Sequence, residues 1–219
     1  MSHVQGDTAL GRILRVNLVV QNHTGIFERR AYAMRNRRAQ PRAQVFVIVC
    51  NSAVGYFGHT MKTIRTGIGF DAHRLRKGRS LVLGGVEFKH THGLEGHSDA
   101  DVLCHAIMDA LLGAVADGDI GVHFKNTDPR WKGVSSIALM KTVRRRLKAK
   151  GARIINVDST LMAEQPRIMP RAQEMRSNIA TALGISIDSI SIKATTMERM
   201  GAVGRQEGMA AMAVATVKI

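Results

Sequence analysis

Gly96-His97-Ser98-Asp99-Ala100-Asp101-Val102-Leu103-Cys104-His105 passes from a polar run into an apolar one, and that change predicts the start of a helix. Ser98 and Asp99 are good N-caps, and apolar residues recur at helical spacing from about Asp99 to Ala116. On that helix Asp101, His105 and Asp109 fall at i, i+4 and i+8 and share one face. Leu103, Ala106, Ile107, Ala110, Leu111 and Ala114 take the opposite side and are expected to face the core. The polar stripe is read as one wall of a site.

Upstream lies Phe70-Asp71-Ala72-His73. Asp71, His73 and His105 together offer one carboxylate and two imidazoles, a three-ligand set for a divalent metal. Three protein ligands leave the fourth tetrahedral position open, which a catalytic zinc needs and a structural zinc lacks. A lone Asp-x-His is common by chance, so the reading leans on the companion helix and on the motifs further along the chain.

The 219 residues suffice for one domain of ordinary size plus an appendage. A hydrophobic content of 45% supports a buried core, and with aromatics at 4% that core must rest on aliphatic residues and the twelve Met. The most apolar early stretch, residues 45–50, is far too short to cross a bilayer. Of the two cysteines, Cys104 sits inside the expected helix beside a ligand, which argues against a disulfide framework and for a reducing compartment. The net charge of +15 raises nucleic acid as a partner. The densest basic cluster in the body, Arg144 to Lys150, instead closes a helix before Gly151, where cations suit the dipole and no aromatics stand by for stacking. Neither nucleic acid nor a membrane is expected as a partner. The excess positive charge would help draw in a phosphorylated substrate.

Composition changes sharply near Met61. Residues 1–60 carry eight Arg, no Lys and two acids, whereas residues 61–219 show regular elements. Three readings compete for residues 1–60: a targeting peptide, a disordered basic arm, or upstream reading frame with Met61 as the true start. The absence of Lys beside eight Arg favours the last. In the body, Thr63 to Phe70 reads as a strand and Leu81 to Phe88 as a hairpin turning at its glycines. Helices are expected over Ser136 to Lys150 and Pro170 to Leu183, and strands over Ala152 to Ala163, Ile190 to Thr195 and Met209 to Ile219. Asp117 to Gly121 and Asn126 to Pro129 read as loops. The expected class is α+β: a layered sheet of about four main strands with helices packed on one face, plus a small hairpin.

Between the last two strands, Thr195 and Thr196 supply hydroxyls and N–H groups at a strand end, suited to phosphoryl oxygens. Glu198 is a hard oxygen ligand that could share magnesium or manganese with a diphosphate, and Arg205 offers a planar fork in a glycine-rich loop. A surface loop explains the same residues. Asp119-Ile120-Gly121 could hold sugar hydroxyls or be an ordinary turn. Ala163-Glu164-Gln165-Pro166-Arg167-Ile168-Met169 could cradle a planar base or simply join a strand to a helix.

Taken together, residues 63–219 resemble the 2-C-methyl-D-erythritol 2,4-cyclodiphosphate synthases of non-mevalonate isoprenoid biosynthesis. The match rests on Gly69 to His73, Gly96 to His105, Asp109 to Ala114, Gly118 to Gly121, Lys193 to Thr196 with Glu198, and Gly204 to Gly208, all in order. The resemblance implies a homotrimer with sites between neighbouring subunits, with zinc on Asp71, His73 and His105 and magnesium on Glu198. It implies transition-state contacts from His97 and Thr196, a phosphate contact from Ser98, and a ribose site at Asp119, Ile120 and Gly121. Residues Ala163, Pro166, Arg167, Ile168 and Met169 match the cytosine pocket, and Phe124 to Asp128 a mobile covering loop. The implied substrate is a cytidine diphosphate ester, which is closed to a cyclic diphosphate with loss of CMP. The chain departs from the family at Ala202, where an aromatic residue commonly lines a cavity near the trimer axis that can hold an isoprenoid diphosphate; the resemblance implies that Arg205 sits near the same axis.

Two other classes stay open from the residues alone: a basic nucleic-acid-binding module, and a structural zinc protein with His97 as the nearest spare fourth ligand. The expected location is the bacterial cytoplasm, or a plastid-type organelle only if residues 1–60 are a transit peptide.

Overall fold

A computed structural model describes residues 63–219, together with the backbone of four strands nearer the N-terminus. Those four, β1 (Asp7–Thr8), β2 (Gly11–Asn22), β3 (Gly25–Met34) and β4 (Val47–Ile48), pair in that order as an antiparallel sheet. They belong to a unit spanning Met1–Thr60, and Met61–Ile219 forms the other. The three readings offered for residues 1–60 concern residues that otherwise lie outside the description.

The second unit is built on a five-stranded mixed sheet. Strand β5 (Ile64–Lys77) runs antiparallel to the last strand, from Ile64 opposite Lys218 to Arg74 opposite Gly208. Beyond that point its partner on the other side is the short β8 (His92–Leu94), with Leu75 opposite Leu94. The hairpin of β6 (Leu81–Leu83) and β7 (Val86–Phe88) turns at Gly84-Gly85, whose φ values of 57° and 71° are those a tight type I′ turn demands. Strands β9 (Arg153–Met162) and β10 (Ile190–Thr195) are parallel, joined by a helical crossover, and β11 (Gly208–Lys218) completes the order β10-β9-β11-β5-β8.

Helix α1 (Val102–Ala114) lies directly on β5 and β11. Gly67 and Gly69 permit that closeness: a Cβ at either would stand 2.1 or 2.0 Å from the carbonyl oxygens of Ala110 and Ala106. Within α1 only Asp109 and Gly113 escape full burial. The side expected to face the core does so, and the side expected to be polar is covered as well. Fully buried Leu103, Ile107 and Leu111 each contribute about 1.5–3 kcal/mol to the core. After the short α2 (Ile120–His123), α3 (Ser136–Ala149) packs beside α1 and α4 (Ala172–Leu183) beside α3, and α4 stops at Gly184 with φ 65°. A one-turn α5 (Gly201–Gly204) precedes β11.

The sheet thus has a covered face and an open one. Along β11, Met209, Ala211, Ala213, Ala215 and Val217 are buried, while Met212 and Val214 point the other way and are exposed. On β5 the open face carries Ile68 and Phe70, 67% and 57% exposed.

Several expectations need correction. The first strand does not stop at Phe70 but continues to Lys77, because β11 and then β8 keep supplying backbone partners. The helix begins at Val102, not near Asp99: Asp101 is the N-cap, its Oδ1 accepting the Cys104 N–H at 3.1 Å and its Oδ2 the Gly85 N–H at 2.7 Å. Asp101 is therefore fully buried in structural work and is no part of a site wall. The main sheet has five strands where about four were expected, and α2 and α5 occupy segments read as loop.

Candidate active site

Alternation along β5 points Gly67, Gly69, Asp71 and His73 to the helix side, and the first two let α1 descend until His105 meets the other two. Asp71 Oδ2 lies 2.8 Å from His73 Nε2 and 2.9 Å from His105 Nδ1, and the two nitrogens are 3.1 Å apart. Among the described residues these three form the one cluster of its kind, with ligand atoms all within 4.8 Å.

The outer nitrogens show which inner ones are free. His73 Nδ1 is 2.7 Å from the Glu95 carbonyl oxygen, which can only accept, so Nδ1 carries the proton and Nε2 keeps its lone pair. His105 Nε2 is 3.0 Å from Ser136 Oγ, and Ser136 donates its own proton to Asp99 Oδ1 at 2.5 Å. His105 Nε2 is therefore the donor and Nδ1 the bare nitrogen. Two imidazole lone pairs and a carboxylate oxygen converging within about 3 Å repel one another unless a cation sits among them, and this N,N,O set suits a divalent metal of the zinc type. Without a cation, an imidazole that takes up a second proton carries it on the inner nitrogen and donates it to Asp71; burial works to raise that carboxyl, but these contacts with His105 and His73 outweigh it and hold Asp71 well below the usual carboxylate range. Burial likewise works to lower His73, and the bond that a protonated Nε2 makes to Asp71 more than reverses that.

The triad opens onto a cavity of about 200 Å³ lined also by His97, Ser98, Ile120, Gly121, Phe124, Asn126 and Trp131. His97 Nε2 reaches the Asp128 backbone oxygen at 3.3 Å, and His97 is not among the residues whose ligand atoms converge. Asp128 turns its carboxylate to Arg130 at 2.6 Å, offering the site its backbone only. Asp119 caps α2 through Val122 N–H at 3.0 Å, and Asp109 Oδ1 accepts Ile120 N–H at 2.8 Å. Burial first, and Asp119 nearby, push the Asp109 carboxyl up. Asp109 thus tethers the Asp119-Ile120-Gly121 turn rather than walling the cavity.

The remaining predicted residues gather elsewhere. Thr195 ends β10, and Ala163 N–H donates to its carbonyl at 3.0 Å, which joins the Ala163–Met169 segment to the Thr195–Glu198 loop. Thr196 Oγ1 donates to Glu198 Oε1 at 2.8 Å, and Glu198 and Arg199 take φ values of 50° and 63°. Glu164 holds this conformation, its Oε1 accepting from Met197 N–H at 2.9 Å and Arg199 N–H at 3.3 Å. Of the expected base pocket, Ala163 and Ile168 are buried, Pro166 half-buried, and Arg167 and Met169 exposed. Arg205 pairs with Glu207 at 2.7 Å on a different concavity shared with Glu164, Gln165 and Arg199.

The sheet register measures the gap between the two groups. Thr195 stands opposite Met162, Met162 opposite Ala210, and Ala210 opposite Ala72, so three strand spacings of about 4.8 Å put Thr195 roughly 14 Å from the Asp71–His73 segment. One chain therefore does not bring all the predicted residues into one cavity. Sequence reasoning also missed Ser136, Asp99 and Glu164 as supporting residues. Ser136 reads as an ordinary helix start and Glu164 as one member of a loop, and only their spatial partners reveal their tasks.

Comparison with known proteins fits this geometry. The pattern of the YgbB family matches residues 64–218. The 2-C-methyl-D-erythritol 2,4-cyclodiphosphate synthase of Chloroherpeton thalassium is 55% identical over 155 residues, covering 71% of this chain and 99% of that one. The bifunctional IspD/IspF enzyme of Anaeromyxobacter dehalogenans is 57% identical over 152 residues, 69% of this chain, which spans only 39% of that protein's length. Among solved structures, the bifunctional IspDF of Campylobacter jejuni is 41% identical with a TM-score of 0.69, over 72% of this chain and 42% of that one. The CDP complex of IspF from Plasmodium falciparum is 30% identical with a TM-score of 0.63, over 72% and 97%. The chain belongs to the YgbB family, that of the 2-C-methyl-D-erythritol 2,4-cyclodiphosphate synthases.

Proposed function

We propose that this chain converts 4-diphosphocytidyl-2-C-methyl-D-erythritol 2-phosphate to 2-C-methyl-D-erythritol 2,4-cyclodiphosphate and CMP, acting as a phosphorus–oxygen lyase in non-mevalonate isoprenoid biosynthesis. The observation that carries the reading is the Asp71–His73–His105 cluster with both inner nitrogens bare, opening onto the cavity of His97 and Ser98. An oxygen of the 2-phosphate attacks the phosphorus next to the erythritol. The bond from that phosphorus to the cytidylyl oxygen breaks, and CMP leaves with the electron pair. The nucleophile is already an anion, so the task is to hold two repelling phosphates together and neutralise them.

Asp71, His73 and His105 would hold zinc, and Glu198 would hold magnesium or manganese on the diphosphate. When bound, these cations supply Lewis-acid polarisation of the phosphoryl oxygens. His97, Ser98 and Thr196 would donate to the phosphoryl oxygens; Asp119, Ile120 and Gly121 would take the ribose. Ala163, Pro166, Arg167, Ile168 and Met169 would take the cytosine, while Phe124 to Asp128 cover the substrate.

We read the protein as a homotrimer, which the same geometry supports. Groups about 14 Å apart in one chain cannot serve one diphosphate, whereas the triad of one copy and the Thr195–Glu198 loop of its neighbour can. The open face bearing Ile68, Phe70, Met212 and Val214 is the surface such an assembly would bury. No helix among the described residues is long and apolar enough to cross a membrane, and the bacterial cytoplasm is the location proposed.

Incubating the full chain with the cytidyl substrate, zinc and magnesium and following phosphorus-31 resonances tests the reading. Equal amounts of CMP and a cyclic diphosphate are expected. CMP accompanied by an open-chain 2,4-bisphosphate would mean hydrolysis and sink the proposal.

A further inference from the structure

Asp99 was expected to help cap α1, yet it spends its carboxylate elsewhere. Its Oδ2 accepts the Ser136 N–H at 2.9 Å and its Oδ1 the Ser136 Oγ–H at 2.5 Å. Ser136, fully buried at the first turn of α3, then presents its Oγ lone pair to His105 Nε2 at 3.0 Å. We propose that Asp99 and Ser136 are positioning residues that fix His105 in the Nε2–H tautomer and thereby set the affinity of the triad for its metal.

The need for such a device is visible in the site. Asp71 Oδ2 lies 2.9 Å from His105 Nδ1, so the opposite tautomer, with Nδ1–H donating to that carboxylate, makes a charge-assisted bond and competes strongly. That tautomer would remove one metal donor and occupy a second. Against it stands Ser136, whose own proton is committed to a carboxylate that can only accept, which polarises the hydroxyl oxygen as an acceptor for Nε2–H. The couple also frees Ser98. Ser98 Oγ lies 3.2 Å from the same Nε2, but it is half-buried and lines the cavity. With Ser136 holding the imidazole proton, the Ser98 hydroxyl can turn to an anion in the cavity without leaving Nε2–H unpaired. Asp99 further ties the two loops together, its N–H donating to Val134 O at 3.3 Å and its Oδ1 accepting from Asp101 N–H at 3.3 Å.

The inference rests on the reading of the triad as a metal site, and zinc affinity tests it without reference to turnover. Zinc binding to the full chain and to its Ser136→Ala variant is measured by competition with a chromophoric chelator, and the His105 tautomer of the metal-free proteins by long-range proton–nitrogen NMR. Ser136→Ala is expected to weaken zinc binding about 10–100-fold, the usual cost of losing such a partner, and to shift His105 towards Nδ1–H. A purely structural role would lower thermal stability while leaving the tautomer unchanged. Zinc affinity within about twofold of the parent, with Nε2–H retained, would overturn the proposal. If Ser136→Ala does not fold, Asp99→Asn decides: it keeps the shape and removes the charge, so weaker zinc binding supports the couple and unchanged binding refutes it. A parent that binds zinc more tightly than Ser136→Ala yet releases no CMP would sink the synthase reading alone. A zinc-dependent, active parent matched by Ser136→Ala in affinity would sink this inference alone.

Discussion

Replacing Gly69 by alanine should damage both the fold and the metal site, and the structure gives the size of the effect. The added Cβ would lie 2.0 Å from Ala106 O and 2.6 Å from Ala110 N, both backbone atoms of α1 that cannot rotate aside. Restoring an ordinary contact of 3.4 Å requires α1 to retreat from β5 by about 1.4 Å, since cores accommodate an extra methyl only by moving. Gly69 has no left-handed φ, so the effect is one of space and not of backbone strain. His105 precedes Ala106 on the helix that must move, whereas Asp71 and His73 stay on the strand. The separations of His105 from Asp71 and His73, 2.9 and 3.1 Å, would open towards about 4.3–4.5 Å, more than two bonds of about 2.1 Å to one ion can span. Overpacking of this kind costs up to about 3 kcal/mol, which lowers Tm by roughly 6–12 °C for a chain of this size. Thermal melts of the metal-free protein and zinc titrations by chelator competition would read the two effects, with zinc affinity falling at least about tenfold. A Gly69→Ala protein with Tm within about 2 °C of the parent and zinc affinity within about twofold would refute the close-approach argument.

Three further outcomes follow from other parts of the molecule. Phe70→Glu on the open face should convert the proposed trimer to monomers in light scattering after gel filtration, because a charge cannot be buried unpaired at that surface; an unchanged mass would remove the face from the interface. Mixing Asp71→Ala and Glu198→Ala chains, each inactive alone, should restore up to about a quarter of the parental CMP release, since random symmetric trimers pair an intact half from each; no recovery would place both halves of the site in one chain. Hydrogen bonds from Arg146 and Lys150 hold Asp117 down to about 2 against its burial, pinning the end of α3 beside that of α1. A depressed folded-state pKa stabilises above the unfolded value near 3.9 and loses that contribution as pH falls towards 2. Asp117→Asn should therefore melt lower than the parent at pH 6, with the gap closing below about pH 4; a gap that persists to pH 2 would contradict this role.

The metal cluster was legible because its residue types are scarce and their chemistry specific, and the helix core because its spacing is regular. The Gly84-Gly85 turn was legible because it needs residues that tolerate positive φ. What stayed hidden depends on contacts distant in sequence. Beyond Phe70 the strand is written in Asp71, His73, Arg74, Arg76 and Lys77, which carry no apolar alternation, so its length is set by β11 and β8 as backbone partners. Ser98, Asp99 and Asp101 can all cap a helix; the choice falls on Asp101 because Gly85 N–H reaches it, while Asp99 is taken by Ser136. The gap of about 14 Å between the triad and the Thr195–Glu198 loop is a matter of strand order, which no local pattern encodes.

CMP release from 4-diphosphocytidyl-2-C-methyl-D-erythritol 2-phosphate by the full chain, with zinc and magnesium, beside its Asp71→Ala variant and the metal-stripped parent, tests the central claim most directly. The account predicts release by the parent, loss on stripping with recovery on adding zinc, and about a thousandfold or greater loss in Asp71→Ala. Undiminished release by a folded Asp71→Ala protein, or by the parent after full removal of its metal, would contradict it.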